Sequence, residues 1–215
     1  MCIYSHSTGT GCSAYNYGSC ATNPKKSSTR EKFQMITAIA GKPRNDGTFV
    51  QKGNYVREEL VASGHREWGD RPPLPLPPYL LMDRVVEITS KGGDFDKGFI
   101  RAEFDVTPDM PCFEHHFKGD PVMPGKEQVD ALWQAVGFFV GWSGAYGKGR
   151  ATGCGEVKLL GEITPTARLL EIRVDISRIM VNRKIQIGFG DGKIFRDGAL
   201  VCKVSDLNAT VIHLT

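Results

Sequence analysis

Three groups able to move or steady a proton stand close together in this chain: His116, Gly125 and Asp130. The text CFEHH ends on His116, a Gly-Asp-Pro turn and a Pro-Gly turn follow, and Asp130 and Gln134 then stand four residues apart in KEQVDALWQAVGFFVGW. That spacing places both side chains on one face of a helix, where a carboxamide can hydrogen-bond a carboxyl group and orient it. Burying the two is costly unless they are paired. Gly125 stands where this helix begins, so its N–H has no partner within the helix, and the missing side chain lets a ligand approach. Such a donor suits a developing oxyanion. A base, an acid and an unpaired N–H are what proton abstraction beside a thioester carbonyl requires. Each group also has a plainer reading, a satisfied core pair for Asp130 and Gln134 and a structural hydrogen bond for the histidine. His115 and His116 do not read as a metal pair, since neighbours on a strand point to opposite faces and no third ligand is suitably spaced.

The elements that must position these groups follow from periodicity. From Val129 onward the segment Lys126 to Trp142 is apolar on nearly every side except at Asp130 and Gln134, the pattern of a buried helix. Strands are expected where Ile100, Ala102, Phe104 and Val106 alternate with polar neighbours, where Leu170, Ile172, Val174 and Ile176 do so, and in GEVKLLGEI, KIQIGFG and ALVCKVSDL. Asp191-Gly192 and Asp197-Gly198 supply turns. Because strand follows strand, the sheet is antiparallel. The expected architecture is α+β, a long central buried helix wrapped by an antiparallel sheet. Upstream, YVREELVASG predicts a short helix with Val56, Leu60 and Val61 on one side and Gly64 as its stop. The proline-rich RPPLPLPPYLLMDRVVEI reads as an extended link into the domain. Residues 1–52 are rich in Ser, Thr, Gly, Asn and Lys and are expected to form a poorly ordered extension, with residues 53–215 as the domain.

A chain of 215 residues, 40% of them hydrophobic, can bury one good core. Its 27 basic and 24 acidic residues leave a net charge of +3, too small a surplus to indicate nucleic acid but compatible with an acidic partner. No run approaches the roughly 18 apolar residues of a membrane span, and the first residues lack the pattern of a secretory signal, so the protein is expected to be soluble and cytoplasmic. Cys2, Cys12, Cys20, Cys112, Cys154 and Cys202 form no CxxC pair and read as free thiols.

HFKGDPVMPG followed by DALWQAVGFFVGW resembles the 3-hydroxydecanoyl-acyl-carrier-protein dehydratase/isomerase family of bacterial fatty-acid synthesis, which has the hot-dog fold. The similarity continues through GKGRATGCGEVKLLGEITPTAR and SRIMVNRKIQIGFGDGKIFRDG, over roughly residues 55 to 212. Carried over by position, the resemblance implies a catalytic histidine at His116, a catalytic aspartate at Asp130 and the backbone donor at Gly125, with Gln134 beside the substrate. Asp130-Ala-Leu-Trp133-Gln134 is similar to the isomerising family rather than to its non-isomerising relatives, whose acid is usually glutamate. What this implies is dehydration of a (3R)-3-hydroxyacyl thioester to the trans-2-enoyl product, followed by isomerisation to cis-3. No metal or organic cofactor is implied. The implied partners are acyl carrier protein and a second copy of the chain, in a homodimer whose sites draw histidine and aspartate from different subunits; neither nucleic acid nor membrane is implied. An acyl chain is expected to pass Trp133, Phe138 or Phe139. Arg178, Arg183 and Lys184 form basic text suited to an acidic carrier protein, a solvated strand face being the alternative.

Departures from the family stand beside the site. Lys126, Glu127 and Gln128 occupy positions that are usually small or apolar, and His115 stands where a small or thiol residue is common. Lys126 precedes Asp130 by four residues and Glu127 by three, so both are expected on its face, where their charges act on the carboxyl group in opposite directions. A catalytically weakened or non-catalytic acyl- or carrier-binding protein is the alternative reading. A hot-dog thioesterase is a third, which has no need of the His116 loop.

Overall fold

The structure, a computed structural model, describes residues 49–213. Among the described residues three helices and seven strands succeed one another: α1 (Arg57–Gly64), β1 (Arg84–Thr89), β2 (Phe99–Asp105), α2 (Pro111–His115), α3 (Gly125–Trp142), β3 (Lys148–Gly153), β4 (Val157–Leu159), β5 (Leu169–Val181), β6 (Ile185–Arg196) and β7 (Ala199–Ile212). The strands form one antiparallel sheet in the order β1-β2-β5-β6-β7-β3, with β4 also paired to β7. It wraps α3 in the hot-dog arrangement.

Alternation builds the inner face of this sheet. Ile100 and Ala102 on β2 and Ile172, Val174 and Ile176 on β5 are wholly buried, as are Leu132, Ala135, Val136 and Val140 on α3. Each large aliphatic side chain so buried contributes about 1.5–3 kcal/mol. Close approach of helix to sheet depends on glycines in β6. A Cβ on Gly188 would stand 2.4 Å from Val140, and one on Gly192 would stand 2.8 Å from Leu132. Asp191-Gly192 is therefore not the turn expected from its sequence; it lies inside β6, with Asp191 accepting the Asp206 N–H and Gly192 making room for the helix. Asp197-Gly198 does form a turn, between β6 and β7, with φ of 48° and 88°.

Other elements depart from their local signals. GEVKLLGEI contributes only the three residues of β4. The end of the proline-rich segment supplies β1, which pairs with β2, while Leu74, Leu80, Leu81 and Met82 of the same segment join the core. In α1, Leu60 and Ser63 face inward, whereas Val56 is the exposed N-cap and Gly64 is the last helical residue. Pro111 opens α2, so His115 and His116 lie at a helix end rather than on a strand.

The extension expected over residues 1–52 falls almost wholly outside the described residues, as do Cys2, Cys12 and Cys20. Phe49 packs against Tyr55 and Trp68. Cys112, Cys154 and Cys202 are free thiols. Among the described residues no helix is long and apolar enough to cross a membrane.

Candidate active site

Gln134 organises the acidic end of the site. Its Nε2 donates to Asp130 Oδ2 at 2.7 Å and to the Tyr79 carbonyl at 2.8 Å, and its Oε1 accepts the Leu81 N–H at 3.0 Å. Both amide hydrogens and the oxygen are thereby engaged, which fixes the orientation of the carboxamide. One hydrogen bond is the i,i+4 contact anticipated from spacing; the other two go to backbone more than fifty residues away in sequence. Asp130 is half-buried, with its carboxyl group held at one oxygen.

His116 stands at the C-terminal end of α2 and opens a tight loop. The Phe117 and Asp120 backbones exchange hydrogen bonds at 2.9 and 3.0 Å, and the Val122 N–H donates to the His116 carbonyl at 2.7 Å. His116 Nδ1 lies 2.9 Å from the Val122 carbonyl. A carbonyl only accepts, so Nδ1 carries the proton and Nε2 presents a lone pair in the neutral ring. Phe117 stacks on the imidazole with centroids 4.0 Å apart. His115, by contrast, is exposed and lies near Glu114.

Gly125 is the first residue of α3, after Pro124, and no side chain caps this helix end. Among the described residues the Gly125 N–H has no hydrogen-bond partner. Leu159 of β4 lies against it, near enough that a Cβ would stand 2.4 Å from Leu159 Cδ1. The neighbouring charges differ in exposure. Lys126 is exposed, whereas Glu127 is half-buried with its carboxylate near enough to the Cys112 thiol of α2 to act on it. Burial, aided by the Glu127 carboxylate, pushes the Cys112 thiol up to about 11. Gln128 is buried.

A pocket of about 240 Å³ opens beside Asp130. Trp133, Gly137 and Phe138 of α3 form one wall, residues 72–75 another, and residues 149–151 and 209–211 close it. Trp133 is fixed in place by donation from Nε1 to the Gly153 carbonyl at 3.0 Å. Of the three aromatic residues expected along the acyl path, Phe139 does not line this pocket; it turns toward Gly98 and Trp142 in the core. A larger cavity of about 630 Å³ lies between Pro77, Leu80, Phe104 and Met110. Its arginines, Arg57 and Arg84, are paired with Asp83, Asp105 and Glu103, and its lining includes none of His116, Gly125 and Asp130. The smaller pocket is therefore the better candidate.

The basic residues divide between two places. Arg183 and Lys184 sit in the β5–β6 turn, which Asn182 closes by accepting the N–H groups of Lys184 and Ile185. Arg178 lies on β5 with its guanidinium 3.9 Å from the centroid of Phe189. All three are exposed. The chain thus brings Asp130 and Gln134 into direct contact and leaves His116 on a separate loop, oriented by the carbonyl of Val122. Tyr79, Leu81 and Val122 act through backbone groups that carry no side-chain signature, so sequence reasoning had nothing by which to find them.

A family model described as the FabA-like domain matches residues 74–205. Among solved structures, the chain is similar to the dehydratase heterocomplex ApeI:P from Xenorhabdus doucetiae, with 20% identity over 64% of this chain and 87% of that one and a TM-score of 0.49. It is also similar to a hypothetical thioesterase with coenzyme A from Streptococcus pneumoniae, with 14% identity over 60% of this chain and 84% of that one and a TM-score of 0.41.

Proposed function

This chain belongs to the FabA-like domain family, and from that premise we propose that it dehydrates (3R)-3-hydroxyacyl thioesters carried on acyl carrier protein. The observation that carries the proposal is the Asp130 carboxyl group, held by Gln134 in the lining of a largely apolar pocket. His116, through Nε2, removes a proton from C2. Enolate charge gathers on the thioester oxygen, which the Gly125 N–H stabilises. Asp130 in its protonated form gives its proton to the C3 hydroxyl; the C3–O bond breaks, water leaves, and a trans double bond joins C2 and C3. Isomerisation uses the same groups, with one proton removed at C4 and one returned at C2 to give the cis-3 chain.

Two copies of the chain assemble in this proposal, His116 of one serving Asp130 of the other. Arg178, Arg183 and Lys184 receive the acidic surface of the carrier protein; their exposure favours such an encounter. The test is incubation of the purified protein with 3-hydroxydecanoyl thioester, following water loss and double-bond position by mass spectrometry and NMR. Enoyl product is expected, and its absence from a folded protein refutes the proposal. Dehydration without cis-3 product refutes only the isomerase step. His116→Ala and Asp130→Asn are each expected to lower kcat by at least about a hundredfold. Retained turnover in either removes that residue from its role.

A further inference from the structure

The glycines of α3 are not alike. A side chain at Gly125 would meet Leu159, and one at Gly141 would meet Pro72 at 2.9 Å. Close packing against this chain accounts for both. At Gly137 an added Cβ meets nothing within 4 Å among the described residues. Glycine is, after proline, the least favourable residue in a helix interior, and alanine is better there wherever it fits. Nothing in the packing of the described residues therefore calls for glycine at position 137. Its surroundings give the reason, for Gly137 lines the pocket beside Asp130. Asp130, Trp133, Gln134 and Gly137 follow one another along a single face of α3, and all four border that space.

We infer that Gly137 is the residue that keeps this pocket open to medium-length acyl chains, and so sets the length of substrate accepted. The inference rests on the dehydratase reading, in which Asp130 acts at C3. Asp130 and Gly137 are separated by seven residues of helix, about 10 Å along its axis. An extended chain built of roughly 1.5 Å bonds in zigzag spans that distance in about seven or eight carbons. The end of a ten-carbon acyl group then lies over Gly137, whereas a six-carbon group ends near Trp133. A bulky side chain at position 137 obstructs the first and leaves the second untouched.

The experiment compares 3-hydroxyhexanoyl and 3-hydroxydecanoyl thioesters on the full chain carrying Gly137→Ala or Gly137→Leu. With leucine, kcat/KM for the ten-carbon substrate is expected to fall at least about tenfold while that for the six-carbon substrate stays within about twofold. With alanine the melting temperature is expected to equal or exceed the wild-type value, since the methyl group fits and favours the helix. Binding is read separately, by the fluorescence change on titration with hexanoyl and decanoyl thioesters lacking the 3-hydroxyl group, because Trp133 borders the pocket. A wild type that binds decanoyl thioester but dehydrates nothing defeats the dehydratase reading, while selective loss of decanoyl binding in Gly137→Leu still supports the pocket assignment. An equal fall for both chain lengths, no change for either, or a changed elution volume on size exclusion assigns position 137 to packing and overturns the inference. Should the leucine variant fail to fold, Gly137→Val is read by the same ratio.

Discussion

Replacing Gln134 with leucine conserves most of the side-chain volume and removes three hydrogen bonds at once. The Leu81 N–H loses its acceptor in a buried setting, which costs about 1–3 kcal/mol. The Tyr79 carbonyl and the Asp130 carboxyl group lose the Nε2 donor, but Tyr79 is 75% exposed and Asp130 is half-buried, so water replaces part of what is lost. Together these losses come to about 2–4 kcal/mol, a large share of the ~5–15 kcal/mol that holds a typical domain folded. For a domain of this size that lowers the melting temperature by about 10 °C. Urea denaturation followed by circular dichroism measures the stability, and turnover of 3-hydroxydecanoyl thioester below the new melting temperature measures the orientation of Asp130. Gln134→Glu provides the contrast. It keeps an acceptor for Leu81 but sets a second carboxyl group against Asp130, so one proton is shared between them and the pH profile of kcat shifts upward. If Gln134→Leu is within about 0.5 kcal/mol of wild type and equally active, the three hydrogen bonds neither hold this corner of the fold nor position the acid.

Gln186 is wholly buried on the inner face of β6, and neither its amide oxygen nor its amide nitrogen has a partner among the described residues. Gln186→Met is therefore expected to raise the unfolding free energy by about 1–3 kcal/mol in urea denaturation, and a decrease refutes the reading of an unsatisfied amide. The two core-side thiols should titrate late. Burial, with the Glu127 carboxylate adding to it at Cys112, pushes Cys112 and Cys202 each up to about 11. Peptide mapping after iodoacetamide treatment is expected to show Cys112 modified slowly at pH 8 and progressively faster toward pH 11; rapid modification at pH 8 contradicts it. Below about pH 9 thiols are protonated in both the folded and unfolded states, whereas between there and pH 11 only the unfolded chain releases these protons, so folding weakens as pH rises.

Periodicity was enough for the central helix, for the strands on either side of it and for the contact between Asp130 and Gln134, because all of these depend on neighbours three, four or two residues away. Resemblance in HFKGDPVMPG and DALWQAVGFFVGW was enough for the family. Local signals misled where distant packing took over. Asp191-Gly192 has the composition of a turn, yet its glycine is required by the Leu132 side chain of α3. Lys126 and Glu127 share a helical turn, yet the Glu127 carboxylate also acts on Cys112 of a different helix, a neighbour that local spacing does not reveal. Phe138 and Phe139 are both buried, but one helical step of about 100° separates them, so Phe138 borders the pocket while Phe139 turns toward Trp142.

Residue type and spacing by themselves singled out the groups proposed to exchange protons, and determined that the carboxyl and carboxamide of one helix meet. Tertiary structure alone decided what holds them. The Tyr79 carbonyl, the Leu81 N–H and the Val122 carbonyl are groups every residue possesses, so their role depends on where the chain returns in space rather than on what it is made of. The open space beside Gly137 is of the same kind, since a gap belongs to the surfaces around it and to no residue in the sequence.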